Sequence, residues 1–317
     1  MSRVIGIFSG KGGVGKTTLV ANLGAALTGA LKKNVVIFDN NIHTSHLGLH
    51  FGLYEDLPVT LREVLKRNIP LTQATYIHPS TGIRIIPAPI NGDGINLTRQ
   101  QCAKMTKQVS KNYDIVLLDC APGLGNEVLA PMSAIDDAIV ISTPDVASLA
   151  DAVKTIELLK RMKKNVIGVV VNRYKNQRYQ LTPQEITSTT NYNIIGIIPE
   201  DDNVQSSLSK GLPVVVASPN SSASKAFKKL AASLVNEQYT EPGFFDRFRG
   251  MFDFSMPKID MPIILQPKIN IQPEPIIKRE VATLKQTKNE LLRDVRKEMK
   301  KELKEKIRRR LKERLYA

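Results

Sequence analysis

Between residues 4 and about 237 the chain alternates short, unbroken apolar runs with longer stretches of mixed polarity. The runs are VIGIF (4–8), NVVIFD (34–39), IRIIPA (83–88), YDIVLLD (113–119), DAIVIST (137–143), NVIGVVVN (165–172) and NIIGIIP (193–199). They lack the apolar–polar alternation of a strand with one wet face. A strand covered on both faces has this composition, so a parallel sheet is predicted. The stretches 17–32, 98–111, 147–163 and 221–237 are predicted as helices. Thr182, Pro183 and Glu185 form a helix start, with a cap, a proline at the first position and an acid at the third. Strands and helices in this order predict a doubly wound, mostly parallel α/β domain over residues 1–240.

The pattern breaks at Glu241-Pro242-Gly243. Residues 243–254 form an aromatic cluster. On a helical wheel Phe244, Phe245, Phe248, Met251 and Phe252 share an arc of about 120°, with Arg247 and Arg249 flanking it and Asp246 and Asp253 opposite. Two readings fit. The segment is a last helix packed on the domain, or it is a membrane-binding segment whose rings enter the acyl boundary while the arginines reach lipid phosphates. Residues 255–277 contain Pro257, Pro262, Pro267, Pro273 and Pro275, which suits an extended linker. Residues 278–317 read as one long charged helix. Its apolar positions from Val295 to Leu315 are always four apart, a row that drifts around the helix and makes no heptad seam.

Charge sharpens this division. The chain of 317 residues carries +15, and residues 278–317 hold sixteen Lys/Arg against seven Asp/Glu, or +9. Three uses of that tail stay open: a solvated helix, an electrostatic contact with a membrane or partner helix, or nucleic-acid binding. Only Cys102 and Cys120 occur, far apart in sequence, which fits a reducing compartment. No apolar run approaches the ~18 residues of a membrane span, and the first residues run straight into a strand pattern without a secretory signal. A cytoplasmic protein is expected. His43, His46 and His50 are spaced to share a helical face, yet no acidic or cysteine partner accompanies them, so loop or groove histidines are expected rather than a metal site.

The chemistry is concentrated in SGKGGVGKTT, Ser9 to Thr18. Gly10, Gly15, Lys16 and Thr17 match G-x-x-x-x-G-K-[ST] between an apolar strand and a helix. Glycines let backbone N–H groups wrap phosphate oxygens, and the helix N-terminus favours negative charge. Lys16 is expected on the β and γ phosphates and Thr17 on Mg²⁺. Gly10, Lys11, Gly12, Gly13, Val14, Gly15, Lys16, Thr17 and Thr18 are thus the expected phosphate cradle. Asp119 ends an apolar strand, as a Mg²⁺ partner does in phosphate-loop proteins, and Asp39 ends another.

The stretch KGGVGKT, Lys11 to Thr17, resembles the deviant Walker A motif of the MinD/ParA group of ATPases, and within it archaeal MinD-like proteins. The resemblance spans about 1–237. It implies ATP and Mg²⁺ as ligands and a homodimer in the ATP-bound state, in which Lys11 reaches phosphates held by the other subunit. It implies Lys11, Lys16, Asp39, Asn41 and Asp119 as the catalytic set and Thr17, Asp39 and Asp119 around the metal. Asn172, Pro199, Glu200 and Asp201 match positions near the adenine, and Asp151 an acidic position near the dimer face. Cys120 to Gly125 resembles the family's second switch, with Ala and Pro exchanged. The family pattern D-x-D reads Asp39-Asn40-Asn41 here. An amide positions water but takes no proton, so slow ATP hydrolysis is expected. The aromatic segment resembles the membrane-targeting helix of MinD proteins. The expected function is reversible membrane association coupled to ATP-dependent pairing, placing an unidentified protein partner during cell division or at a polar structure. The alternatives are a ParA-like DNA-partitioning ATPase using the basic tail and a non-hydrolysing nucleotide-gated scaffold.

Overall fold

The structure is a computed structural model that describes residues 2–42, 45–53, 57–67, 69–89 and 97–239. The chain divides into two units, Met1–Arg247 and Phe248–Ala317, and all described residues lie in the first. The aromatic segment, the proline-rich linker and the charged helix expected from 243 onward lie outside the described residues.

All seven apolar runs become strands of one sheet: β1 (Arg3–Phe8), β2 (Val35–Asp39), β4 (Arg84–Ile86), β5 (Ile115–Asp119), β6 (Asp137–Ser142), β7 (Asn165–Tyr174) and β8 (Ile194–Pro199). The eighth strand, β3 (Tyr76–Ile77), is two residues long and pairs antiparallel with β4. It is too short to leave a periodic signature. The order is β3-β4-β2-β5-β1-β6-β7-β8, and every other pairing is parallel. The chain first builds outward from β1 to β2 and β4. It then returns to insert β5 beside β1 and crosses to place β6 on the other side. Ligands bind where an open parallel sheet reverses direction in this way, at the C-terminal strand ends.

Alternation along the strands divides the core in two. Val4, Phe8, Val36, Phe38, Val116 and Leu118 face one side. Ile5, Ile7, Val35, Ile37, Ile115 and Leu117 face the other. The first face is covered by α2 (Leu61–Arg67), α3 (Arg99–Ser110), α4 (Asn126–Ala134), α5 (Val146–Arg161) and α6 (Pro183–Thr190). The second is covered by α1 (Lys16–Gly29), α8 (Val214–Ala217) and α9 (Ser222–Leu234), while α7 (Asp202–Ser209) follows β8. Both faces being dry explains why the strand sequences carry apolar residues at successive positions. The predicted cap of α6 forms as a capping box, with Thr182 and Glu185 each satisfying the other's backbone N–H. Thr98 and Gln101 cap α3 in the same way.

Candidate functional site

The loop from Ser9 to Gly15 joins β1 to α1 at the C-terminal edge of the sheet. Three of its glycines are required by geometry. A Cβ at Gly10 would lie 2.7 Å from the Cβ and the carbonyl oxygen of Asp151. Gly13 and Gly15 have φ of +78° and +99°, in the left-handed region, and a Cβ at Gly15 would lie 2.3 Å from Asn172 Nδ2. Asn172, at the end of β7, anchors the loop: its Nδ2 donates to the Val14 carbonyl at 2.8 Å. Gly15, the N-cap of α1, makes no side-chain cap, so the first N–H groups of the helix are left without a side-chain acceptor from the cap position.

Lys16 is turned inward and is buried, and its Nζ donates to Ser9 Oγ at 2.8 Å. That hydroxyl in turn donates to the Lys11 carbonyl at 2.7 Å. Burial lowers the Lys16 pKa, and the nearby Asp119 carboxylate opposes the shift. Asp39 and Asp119 are register partners on β2 and β5, both fully buried. The order of strands, with β5 inserted between β1 and β2, is what puts these carboxylates side by side beneath the loop. Asp39 Oδ1 accepts from the Asn41 backbone N–H at 2.9 Å, and Ser45 donates its hydroxyl to Oδ2. Both oxygens of Asp119 are buried without a hydrogen bond of ordinary geometry among the described residues, although the Thr17 hydroxyl lies close enough to favour the charged carboxylate. Burial raises both carboxylates, and Asp119 raises Asp39 further, while Thr17 and Lys16 pull Asp119 back down. Burial and mutual repulsion disfavour charge on both acids, so a cation placed beside Thr17 would stabilise the ionised pair. An orphaned buried carboxylate, a threonine hydroxyl and a glycine cradle that side chains would fill are the donor set for a divalent cation and a phosphate chain.

The segment from Cys120 to Gly125 is tied to this loop, since the Gly123 N–H donates to the Ser9 carbonyl at 3.0 Å. Gly123 has a φ of +100°. Asn41 is buried next to Asp39, at the position expected from the sequence. Lys11 lies apart from Lys16: it is exposed, on a cleft of about 430 Å³ shared with Gly12, Gly13, Pro144, Asp145 and Tyr179. Asp145 caps α5 by accepting from the Ser148 N–H at 2.9 Å. Burial pushes its carboxyl up, but hydrogen bonds from Thr143 and Ser148 and the charge of Lys11 hold it below the usual range. Asp151 abuts Gly10 and pairs with Lys154 at 3.4 Å.

On the other side of the loop Asn172, Pro199, Glu200 and Asp201 line a smaller cleft with Gly15 and Thr18. The structure brings all four expected residues together there. Asp201, however, is committed to structure. Its Oδ1 accepts from the Asn203 backbone at 3.0 Å, and its Oδ2 from Ser222 Oγ at 2.9 Å and the Ala223 N–H at 3.0 Å. It caps α7 and ties it to α9. Arg173, which sequence reasoning did not single out, lines both clefts and holds a φ of +58°. Its only sequence signal is its place after Asn172. Of the histidines, His50 and His78 are buried, the latter ring lying 5.4 Å from that of Phe51. His43 lies outside the described residues, and among those described no cluster suits a metal ion.

Residues 1–235 match a family model described as ParA: NUBPL iron-transfer P-loop NTPase. An uncharacterized ATP-binding protein of Methanocaldococcus jannaschii is 35% identical over 240 residues, covering 75% of this chain and 90% of that protein. The solved septum site-determining protein MinD of Pyrococcus horikoshii, complexed with Mg-ADP, is 30% identical with a TM-score of 0.69, covering 74% of this chain and 96% of that one. MinD of Aquifex aeolicus, solved in complex with MinC, is 31% identical with a TM-score of 0.67 and covers 76% of this chain and 98% of that one. A phosphate loop with a second lysine, two register-paired aspartates at the switch of a parallel sheet and these likenesses lead to one assignment: the chain belongs to the MinD/ParA family of P-loop ATPases.

Proposed function

We propose that this chain is a MinD-like ATPase whose ATP-bound form pairs two copies through Lys11, and that pairing joins two 243–254 segments on an anionic membrane, where they place a protein partner. The observation that carries the reading is the division of labour between the two lysines. Lys16 is drawn inward onto Ser9, while Lys11 stands exposed on the open rim. A cation outside its own cradle serves a second copy's phosphates, which makes nucleotide binding and pairing depend on one another.

Mg-ADP in the P. horikoshii protein supports ATP and Mg²⁺ as the ligands here. Lys16 and the backbone of residues 12–18 would hold the phosphates, Thr17 and Asp119 the metal with Asp39 behind them, and Asn172, Pro199 and Glu200 the base. The metal, when bound, neutralises phosphate charge. Asn41 would orient water by hydrogen bond without taking its proton, so turnover is slow. Iron transfer, named in the family-model description, finds no support in the two cysteines, both buried and distant in sequence. No helix among the described residues is long and apolar enough to cross a membrane. Attachment therefore falls to Phe244, Phe245, Phe248, Met251 and Phe252 with Arg247 and Arg249. One such short segment binds lipid marginally, and two presented together gain avidity of ~10²–10⁴. The +9 tail favours a second reading, an ATPase that tracks DNA.

Flotation with anionic vesicles under ATP, ADP and no nucleotide tests the proposal. Binding should require ATP, vanish on deletion of 243–254 and vanish in Lys11→Ala, which should still bind nucleotide as a monomer. Binding that ignores nucleotide, or a Lys11→Ala chain that pairs and floats normally, would refute it. ATP-dependent DNA binding lost on deleting 278–317 would favour the second reading.

A further inference from the structure

On the α3 side of the sheet, away from the phosphate loop, α2, the turn Leu71–Ala74 and α3 enclose a groove of about 550 Å³. Its floor is apolar, built by Val64, Leu65, Ile69, Leu71, Met105 and Val109. Gln101, Lys104, Gln108 and Asn112 stand exposed along one wall, at the spacing of a single helix face. The rim is basic. Residues 97–112 contain Arg99, Lys104, Lys107 and Lys111 and no Asp or Glu. In α2, Lys66 and Arg67 are exposed, while Glu63 is engaged by Thr60 and by the charge of Arg62. At the lower end the Arg84 guanidinium lies 5.8 Å from the Tyr113 ring centroid.

An apolar trough that carries Lys104 on its wall and lies between two basic helices selects its occupant by both properties. We propose that this groove docks an acidic amphipathic helix of a partner protein, its apolar side chains entering the trough and its carboxylates meeting the rim. The chain's own 278–317 tail is repelled, because it carries +9. A bilayer surface is too flat to fill a concave recess, and an apolar floor gives nucleic acid few partners. The volume falls within the range of well-formed ligand clefts. The proposal names the chemistry of the partner that the ATPase would place. It is tested without nucleotide, so it and the dimer-and-membrane reading can fail separately.

The experiment selects a displayed library of random 16-residue peptides on the full-length chain, with Lys104→Glu and Gln108→Trp chains for counter-selection. Both substitutions lie on the exposed side of α3, so melting temperature and Mg-ATP binding should match the parent. Enriched peptides should be net acidic with apolar residues at i, i+3 or i+4 spacing. In fluorescence polarisation each substitution should weaken them at least ~10-fold, and raising salt should weaken them further. No enrichment over the counter-selection chains, enrichment of peptides without acids, or equal binding to the variants would overturn the proposal. Three other outcomes would give the groove to a different occupant and overturn it too. These are anionic vesicle binding abolished by Gln108→Trp, nucleotide-independent self-association abolished by Gln108→Trp, and peptide affinity raised ~10-fold by Phe244→Ser with Phe245→Ser.

Discussion

Replacing Asp119 by asparagine probes the electrostatics of the site most directly. Lys16, Asp39 and Asp119 form one buried cluster with a single cation against two acids. The Asp39 carboxyl is raised from 3.8 to about 8, first by burial and then by the charge of Asp119. Asp119 ranks behind burial as a cause, and interactions between neighbouring groups of one buried cluster are worth roughly 0.5–3 kcal/mol. Asparagine removes that repulsion but brings N–H donors next to the Lys16 ammonium, at a cost of ~1 kcal/mol. The ligand-free variant should therefore be more stable than the parent by about 1–2 kcal/mol at pH 7.5, a rise of ~2–6 °C in melting temperature.

The pH dependence has a definite sign. Both carboxylates are raised in the folded state, so the folded chain binds more protons than the unfolded one between the two sets of values. The parent's stability from this pair is fully present below the unfolded value near 4 and is lost as pH rises toward 8. The variant's advantage should be present at pH 7.5, shrink by pH 5 and give way below about pH 4 to the ~1 kcal/mol cost of the amide. Thermal melts in EDTA at both pH values read this, and added Mg-ADP should then raise the parent's melting temperature and leave the variant's unchanged. A variant less stable than the parent at pH 7.5, or a gap of the same size at both pH values, would refute the picture of mutually repelling acids.

Three further substitutions have defined outcomes. Gly15→Ala must place a Cβ against Asn172 at a φ of +99°, so nucleotide affinity measured by titration calorimetry should fall at least ~100-fold, with stability down by roughly 1–3 kcal/mol. Asp201→Ala removes the acceptor that holds α7 to α9 and should lower stability in urea melts by about 2 kcal/mol. Because hydrogen bonds hold the Asp201 carboxyl below its ordinary range against a rising push from burial, that contribution is present above about pH 4 and lost as pH falls, so parent and variant should converge in acid. Asn41→Asp restores a carboxylate beside Asp39 and should raise phosphate release severalfold; an unchanged rate would show that the amide does not limit turnover.

Much of this molecule was legible in one dimension. Seven strands announced themselves because a strand dry on both faces needs apolar residues at successive positions, and the phosphate loop because glycine spacing before Lys16 admits few other uses. The helix start at Thr182 was equally local, a matter of side chains reaching N–H groups three residues away. Outside the described residues, the aromatic, proline-rich and charged segments rest on sequence patterning alone. Tertiary structure decided what depends on partners distant in the chain. Only the insertion of β5 between β1 and β2 sets Asp119 beside Asp39, and no local pattern encodes strand order. The same holds for the grip of Asn172 on Val14 from 158 positions away, for the ties of Asp201 at the cleft's edge to α7 and α9, and for the groove between α2 and α3. Short-range sterics and burial write themselves into composition and period; the meeting of remote side chains is settled by packing, and packing exists only once the chain has folded.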